Sequence, residues 1–144
     1  MAKHQMTIDI NAPVETVFTH LDDAEFAKQW IGGLDSMEVL TEGGNRVGAK
    51  TKHIYIENGR TIEMLEETLV YEPDKKVKIY GKTDGFELTV QYELEAIATG
   101  TRLHYEAETN MTSFMMKLMS VIINHSSNNK THEDLNRLKS LIEN

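Results

Sequence analysis

Three short turns, Asn58-Gly59, Asp84-Gly85 and Thr99-Gly100, constrain this chain more than anything else in it. A two-residue loop between alternating segments ties the residues on either side into a known pairing. With Asn58-Gly59 as the loop, Glu57 opposes Arg60, Tyr55 opposes Ile62, His53 opposes Met64 and Thr51 opposes Glu66. With Asp84-Gly85, Thr83 opposes Phe86, Ile79 opposes Val90 and Val77 opposes Tyr92. With Thr99-Gly100, Ala98 opposes Thr101, Leu94 opposes Tyr105 and Tyr92 opposes Ala107. Side chains alternate with period two along a strand, so each pairing assigns whole strands to one face or the other.

The two later hairpins sort almost cleanly. Val77, Ile79, Phe86, Leu88, Val90, Tyr92, Leu94, Leu103, Tyr105 and Ala107 share one face, and charged or polar residues share the other. That split suits an antiparallel sheet with one wet side. The first hairpin is mixed. Its inner face is Ala49, Thr51, His53, Tyr55, Ile62, Met64, Glu66, Thr68 and Val70, while Ile54, Ile56, Leu65 and Leu69 point outward.

Around these hairpins the pattern predicts a first strand over residues 6–10, stopped by Asn11-Ala12-Pro13. Val14, Val17, Phe18 and Leu21 recur at helical spacing. Asp22-Asp23-Ala24-Glu25 then reads as a cap opening a second short helix through Phe26 and Trp30, ended by Gly32-Gly33. Strands are expected at about residues 35–41, 48–57, 60–72, 76–83, 86–98 and 101–109. After Asn110 the period changes, and the rest reads as one long helix. Met111, Phe114, Leu118, Val121 and Ile122 form an apolar stripe, and the same sector continues through His125, Asn129 and His132. Leu135, Leu138 and Ile142 form a second stripe, rotated by about a third of a turn. Asn124-His125-Ser126-Ser127-Asn128-Asn129 between them is poor helix interior, so a kink is expected there.

Composition narrows the function. The chain has 144 residues, enough for one domain with its own core, and no cysteine, which excludes disulfides, thiolate metal sites and a thiol nucleophile. Acids outnumber Lys and Arg by 23 to 15, for a net charge of −8, and the lysines are scattered; nucleic acid is not an expected partner. Residues 1–6 lack a signal-peptide core, and no apolar run approaches the ~20 residues of a membrane span, so a cytoplasmic protein without stable membrane insertion is expected.

The order of one strand, two short helices, six antiparallel strands and a closing helix resembles the START-like (SRPBCC, helix-grip) superfamily, in its polyketide cyclase/dehydrase and lipid-transport branch. The residues that carry the resemblance are Ile10-Asn11-Ala12-Pro13-Val14-Glu15-Thr16-Val17-Phe18, Val47-Gly48-Ala49-Lys50, Gly100-Thr101-Arg102-Leu103 and Asp134-Leu135-Asn136-Arg137-Leu138-Lys139. It covers the whole chain, residues 1–144, as a single ligand-binding domain. It implies an α+β fold, with a curved seven-stranded antiparallel sheet, two short helices and a long C-terminal helix enclosing a hydrophobic cavity. Members bind lipids, polyketides or other apolar molecules, and some catalyse cyclisation or dehydration. No catalytic motif common to the family transfers onto this sequence.

His53 and Glu66 are the sharpest candidates. They are diagonal neighbours on the inner face, ~7–8 Å apart at the backbone, within reach of their side chains. Such a pair serves as a general acid–base couple, as a hydrogen-bonding site for a ligand, or as a self-satisfied buried pair. Trp30, Thr51, Tyr55, Met64, Ile79, Leu88, Val90, Tyr92 and Tyr105 are expected to line a cavity with them, roofed by Phe114, Leu118, Ile122 and His125. Metal is not expected: His125 and His132 lie about 10.5 Å apart along the helix axis, against ~2.0–2.1 Å for zinc–ligand bonds, and there is no His-Glu-x-x-His. Nor is there a Gly-x-Ser-x-Gly elbow or a phosphate loop. No cofactor is implied. The expected partner is therefore a small hydrophobic or amphipathic molecule of lipid, polyketide or aromatic type, held for transport, sequestration or sensing. The competing reading is a polyketide-type aromatase/cyclase or dehydratase using His53 and Glu66. Ile54, Ile56, Leu65 and Leu69 leave a homodimer through the outer sheet face as a third reading.

Overall fold

The computed structural model describes residues 2–57, 59–114 and 120–144, and the side chains of these apart from residues 2 and 120–127. Strand β1 (Ala2–Ile10) leads into helices α1 (Val14–Asp22) and α2 (Ala24–Trp30). Strands β2 (Leu34–Val39), β3 (Lys50–Glu57), β4 (Arg60–Glu72), β5 (Lys76–Thr83), β6 (Phe86–Ile97) and β7 (Gly100–Met111) follow, and helix α3 (Ser120–Glu143) closes the chain. The seven strands form one antiparallel sheet in the order β1-β7-β6-β5-β4-β3-β2, the helix-grip arrangement expected. Asp23 caps α2 with its carboxylate, which accepts from the amides of Glu25 and Phe26 at 3.0 and 3.2 Å.

The first two hairpins have the expected register. Glu57 opposes Arg60, His53 opposes Met64 and Thr51 opposes Glu66; Thr83 opposes Phe86 and Ile79 opposes Val90. The third differs. Ile97 pairs with Gly100, so Ala98 and Thr99 make the loop, and Tyr92 opposes Tyr105 rather than Ala107. Gly100 is taken up by a close approach instead. At φ 141° it passes the chain after β1, where a β-carbon would lie 2.7 Å from the Ala12 nitrogen. A shift of two residues preserves parity, so every side chain of this hairpin keeps its expected face.

Parity does change in two strands, in β2 between Leu34 and Ser36 and in β4. The β4–β5 register slips between Thr68 and Val70: Thr68 opposes Ile79, but Val70 opposes Lys78 and Tyr71 opposes Val77. The extra residue of a bulge turns the rest of the strand over. Tyr71, not Val70, therefore shares the inner face, and its ring packs edge-on to Phe18 at 5.7 Å. β7 also outruns its expected end. Met111 closes the strand opposite Phe86 and is buried there, instead of starting a helical stripe.

Ile10, Val17, Phe18, Trp30, Val77, Leu94, Leu103, Leu135 and Leu138 form the core, joining α1, α2 and the second half of α3 to one end of the sheet. Leu135 and Leu138 are almost wholly buried and fix the roll of α3. The backbone is helical through residues 124–129. On the opposite face Ile56, Leu65 and Leu69 are exposed, as their phase implies. No helix of the described residues is long and apolar enough to cross a membrane.

Candidate functional site

Toward the β3–β5 side of the sheet, the inner face is no longer filled by core side chains. A cavity of about 620 Å³ opens between the sheet, α2 and α3. Thr51, His53, Tyr55, Met64 and Glu66 line it from β3 and β4, Ile79, Leu88, Val90, Tyr92 and Tyr105 from β5 to β7, and Trp30 from α2. Asn128, Lys130, Thr131, Asp134 and Leu135 line it from α3.

The strand register brings His53 and Glu66 together as diagonal neighbours. His53 Nδ1 lies 2.9 Å from Glu66 Oε2, with the two side chains 9% and 12% exposed, so the contact sits out of bulk water. The contact sets a ring nitrogen against a carboxylate oxygen, a geometry in which the imidazole N–H donates and the carboxylate accepts. The Tyr55 hydroxyl is 3.4 Å from the same nitrogen, a longer and secondary contact. Gly81 makes room for the pair. It stands opposite Glu66 on β5, and a β-carbon there would come within 2.9 Å of Met64 Sδ and 3.5 Å of Glu66 Cγ. The site thus holds an imidazole, a carboxylate and a phenol beside an apolar space. That set can hydrogen-bond a ligand's donor or acceptor, or relay a proton.

The inward tyrosines pack as a chain. Trp30 meets Tyr92 edge-on at 6.3 Å, and Tyr92 meets Tyr105 at 5.6 Å. Burial pushes the Tyr55 hydroxyl well above its ordinary range, and the charges of Glu66 and Asp134 add to that. Tyr92 moves the same way, through burial and then its tyrosine and acidic neighbours. Tyr105 is also raised by burial, against a hydrogen bond with Thr131 that lowers it. These phenols keep their protons at physiological pH and so remain hydrogen-bond donors.

The expected roof is only partly in view. Phe114 does not line the cavity: it is 74% exposed. The amides of Thr112 and Ser113 donate to the Gly85 carbonyl at 2.8 and 3.3 Å, which holds the chain beyond β7 against the β5–β6 turn and sends Phe114 outward. Leu118 lies outside the described residues, as do the side chains of Ile122 and His125. Asn129 and His132, expected in the same sector as His125, are exposed. Leu135 and Leu138 instead turn the face bearing Asn128, Thr131 and Asp134 toward the space.

Three features of the wall escaped the sequence reading. β1 begins at Ala2, which puts His4 on the inner face opposite Ala107, with Met6, Ile8 and Ile10 in phase behind it. The alternation ran back to His4 and was the available signal. Its ring is 6.1 Å from Tyr105 and 5.8 Å from His132, and burial, then the nearby His132, hold its basicity below the usual range. Asp134 accepts from the Gly32 amide at 3.0 Å, from Lys130 at 2.7 Å and from Arg137 at 3.2 Å, tying α3 to the turn after α2. At the other end Asp22 accepts from Asn45 at 2.9 Å and from the Tyr71 hydroxyl at 2.7 Å, while Thr68 donates to Asn45 at 2.7 Å. That network depends on the bulge in β4 and has no sequence signature. Among the described residues no three His, Asp or Glu side chains converge to hold a metal ion.

An open seven-stranded antiparallel sheet gripping a long C-terminal helix over an inner cavity defines a START-like protein. Residues 1–143 match the family model for polyketide cyclase / dehydrase and lipid transport, and the chain belongs to that family. No curated protein matches the sequence. Among solved structures it is similar to TTHA0849 from Thermus thermophilus, at 17% identity and TM-score 0.82, covering 98% of this chain and 97% of that one. It is similar also to CV1439 from Chromobacterium violaceum, at 19% identity and TM-score 0.77, covering 100% and 99%. DynU16, from the dynemicin biosynthetic locus, matches at 17% identity and TM-score 0.71, over 98% of this chain and 47% of that one. At these identities the likeness is one of fold. Family and fold together support a ligand-binding or cyclase-like role.

Proposed function

We propose that the chain binds a small amphipathic molecule in the cavity between the sheet and α3, for transport, sequestration or sensing. One observation carries this reading: the buried His53–Glu66 contact at 2.9 Å stands on the wall of a space of about 620 Å³. A pair that served packing alone belongs inside a filled core. Ligand sites occupy about 300–1,000 Å³ and combine apolar walls with a few placed polar groups. The ligand therefore has an apolar body and at least one group that hydrogen-bonds. Solvent extraction of the purified protein followed by mass spectrometry tests this directly; a lipid, polyketide or aromatic molecule at stoichiometric yield supports it.

A second reading, a polyketide-type cyclase or dehydratase, draws on the same triad, because the Glu66 carboxylate and the Tyr55 hydroxyl both lie within 3.4 Å of His53 Nδ1. Glu66→Gln separates the two. For a binding site it weakens the extracted ligand by ~10–150-fold, the worth of one charge-assisted hydrogen bond. For an enzyme it leaves binding nearly intact and cuts turnover by ~100-fold or more. A third outcome, changed melting with neither effect, makes the pair structural. The exposed Ile56, Leu65 and Leu69 also suit a second copy of the chain, which sedimentation equilibrium would detect.

A further inference from the structure

The charged groups of the cavity wall are unevenly cancelled. Asp22, Asp23, Glu57, Glu66, Glu67 and Asp134 line it, against Lys3, Lys50 and Lys130. Lys130 is spent on Asp134 at 2.7 Å, and Lys3 reaches Glu106 and Glu108 at 3.2 and 3.7 Å. Lys50 stands exposed at the start of β3. Asp134 has a second cation in Arg137 at 3.2 Å, but Glu66 and Asp22 are differently placed. Glu66 faces the imidazole of His53, and the side chains that hydrogen-bond Asp22 among the described residues are the neutral Asn45 and Tyr71. An anionic group entering beside Glu66 or Asp22 would meet a carboxylate bonded to an imidazole or to neutral side chains rather than to a lysine or arginine, and would lose hydration there.

The rest of the wall suits the opposite charge. Tyr55 lies beside the His53–Glu66 pair, and on the same wall Tyr92 meets Tyr105 and Trp30 edge-on at 5.6 and 6.3 Å. Aromatic faces attract cations within about 6 Å, most strongly out of water. The raised hydroxyls of Tyr55 and Tyr92, due first to burial and then in part to Glu66 and Asp134, agree that the interior is electronegative. We infer that the polar end of the ligand is a cation, a protonated or quaternary amine on an apolar body, taken by Glu66 with the tyrosine rings around it. The inference rests on the ligand-binding reading and adds the charge that reading leaves open. It sets the chain apart from a carrier of free fatty acids, whose carboxylate would be the wrong sign.

Three probes that differ only in their polar group test it: pyrenemethylamine, pyrenemethanol and pyrenecarboxylate, titrated at neutral pH and followed by pyrene fluorescence. The ammonium is expected to bind ~10-fold or more tighter than the carboxylate, with the alcohol between them. Glu66→Gln should bring the ammonium down to about the level of the alcohol. If the alcohol binds and the carboxylate binds as tightly as the ammonium or tighter, the charge assignment is overturned and the binding reading stands. If none of the three binds, both are overturned. An ammonium preference that survives Glu66→Gln, with circular dichroism showing the variant folded, places the cation elsewhere on this acidic chain and also overturns the assignment. Should the variant fail to fold, Tyr92→Leu serves the same purpose through the ring faces, with an expected loss of ammonium preference of several-fold.

Discussion

Replacing Asp134 by alanine should unlatch α3 from the turn after α2, and the size of the effect follows from the three donors on this carboxylate. Its side chain is 10% exposed, while those of Lys130 and Arg137 are 36% and 43% exposed. Ion pairs to partners so well solvated contribute about 0–1 kcal/mol each. The amide of Gly32 at 3.0 Å is another matter, because a hydrogen bond to a charged acceptor contributes about 1.5–3 kcal/mol and its loss leaves a backbone donor unmet. Asp134→Ala is therefore expected to cost about 2–4 kcal/mol. Asp134→Asn keeps an acceptor for Gly32 and loses the charge, so it should cost about 1 kcal/mol. Trp30 is the single tryptophan of the chain, buried, and its carbonyl accepts from Arg137 at 2.8 Å, which makes its fluorescence a local reporter in equilibrium urea unfolding. The ranking of the two variants is the test. If both cost less than about 0.5 kcal/mol, the Gly32 bond contributes nothing and α3 is held by its other contacts, Leu135 and Leu138 first among them.

Other perturbations probe other links. Gly100→Ala places a β-carbon 2.7 Å from the Ala12 nitrogen at φ 141°, and should cost about 2–4 kcal/mol in urea melts, where a benign Gly→Ala would stabilise by about 0.4–1 kcal/mol. Leu88→Trp should fill the cavity: probe binding falls by ~10-fold or more while stability changes by less than about 1 kcal/mol, whereas a packed core would lose about 1–3 kcal/mol to the added bulk. Alkaline pH should destabilise the fold through Tyr71. Burial, the bond to Asp22 and the charges of Asp22 and Asp74 push its hydroxyl up from 10.0 to about 12. Between those values the unfolded chain has released a proton the native state still holds, so stability falls as pH rises through that window. Urea midpoints measured across it should fall less steeply in Tyr71→Phe, and an unchanged slope would refute the assignment.

How much of this was legible depended on whether a residue's position follows from a local rule. One turn and the period of two were enough to place His53, Tyr55, Met64 and Glu66 on one face, and to make His53 and Glu66 diagonal neighbours. The error of two residues at Thr99-Gly100 did no harm to that assignment, since an even slip leaves faces unchanged. The bulge near Leu69 did alter it, because no residue type there announces an extra residue, and so Tyr71 and its network with Asp22 and Asn45 stayed hidden. The helix side was harder for a physical reason. A helix has no partner strand to set its phase, and its roll is decided by whichever stripe packs best. Two stripes competed, and the second, with Leu135 and Leu138 nearly free of solvent contact, turned Thr131 and Asp134 inward and left Asn129 and His132 outside.

The same contrast runs through the architecture. On β6 and β7 the inner phase is apolar but for Thr101 and Thr109, and Leu94 and Leu103 are buried opposite each other beneath α1 and α3. On β3, β4 and β5 it is broken in three ways: His53 and Glu66 occupy inner positions, Gly81 leaves a gap opposite Glu66, and the β4 bulge swings Tyr71 inward. None of these helps a strand by itself. A glycine weakens it, a bulge interrupts its ladder, and a buried carboxylate needs a partner. They do cohere as a set. The missing β-carbon at Gly81 lets Glu66 and Met64 lie along the sheet, Glu66 reaches His53, and the space that a larger inner residue would have filled stays open. Local rules broken together, where each break serves the same cavity, are what distinguish a site from a poorly packed edge. The regular half holds the sheet rigid, and the irregular half gives the cavity its chemistry.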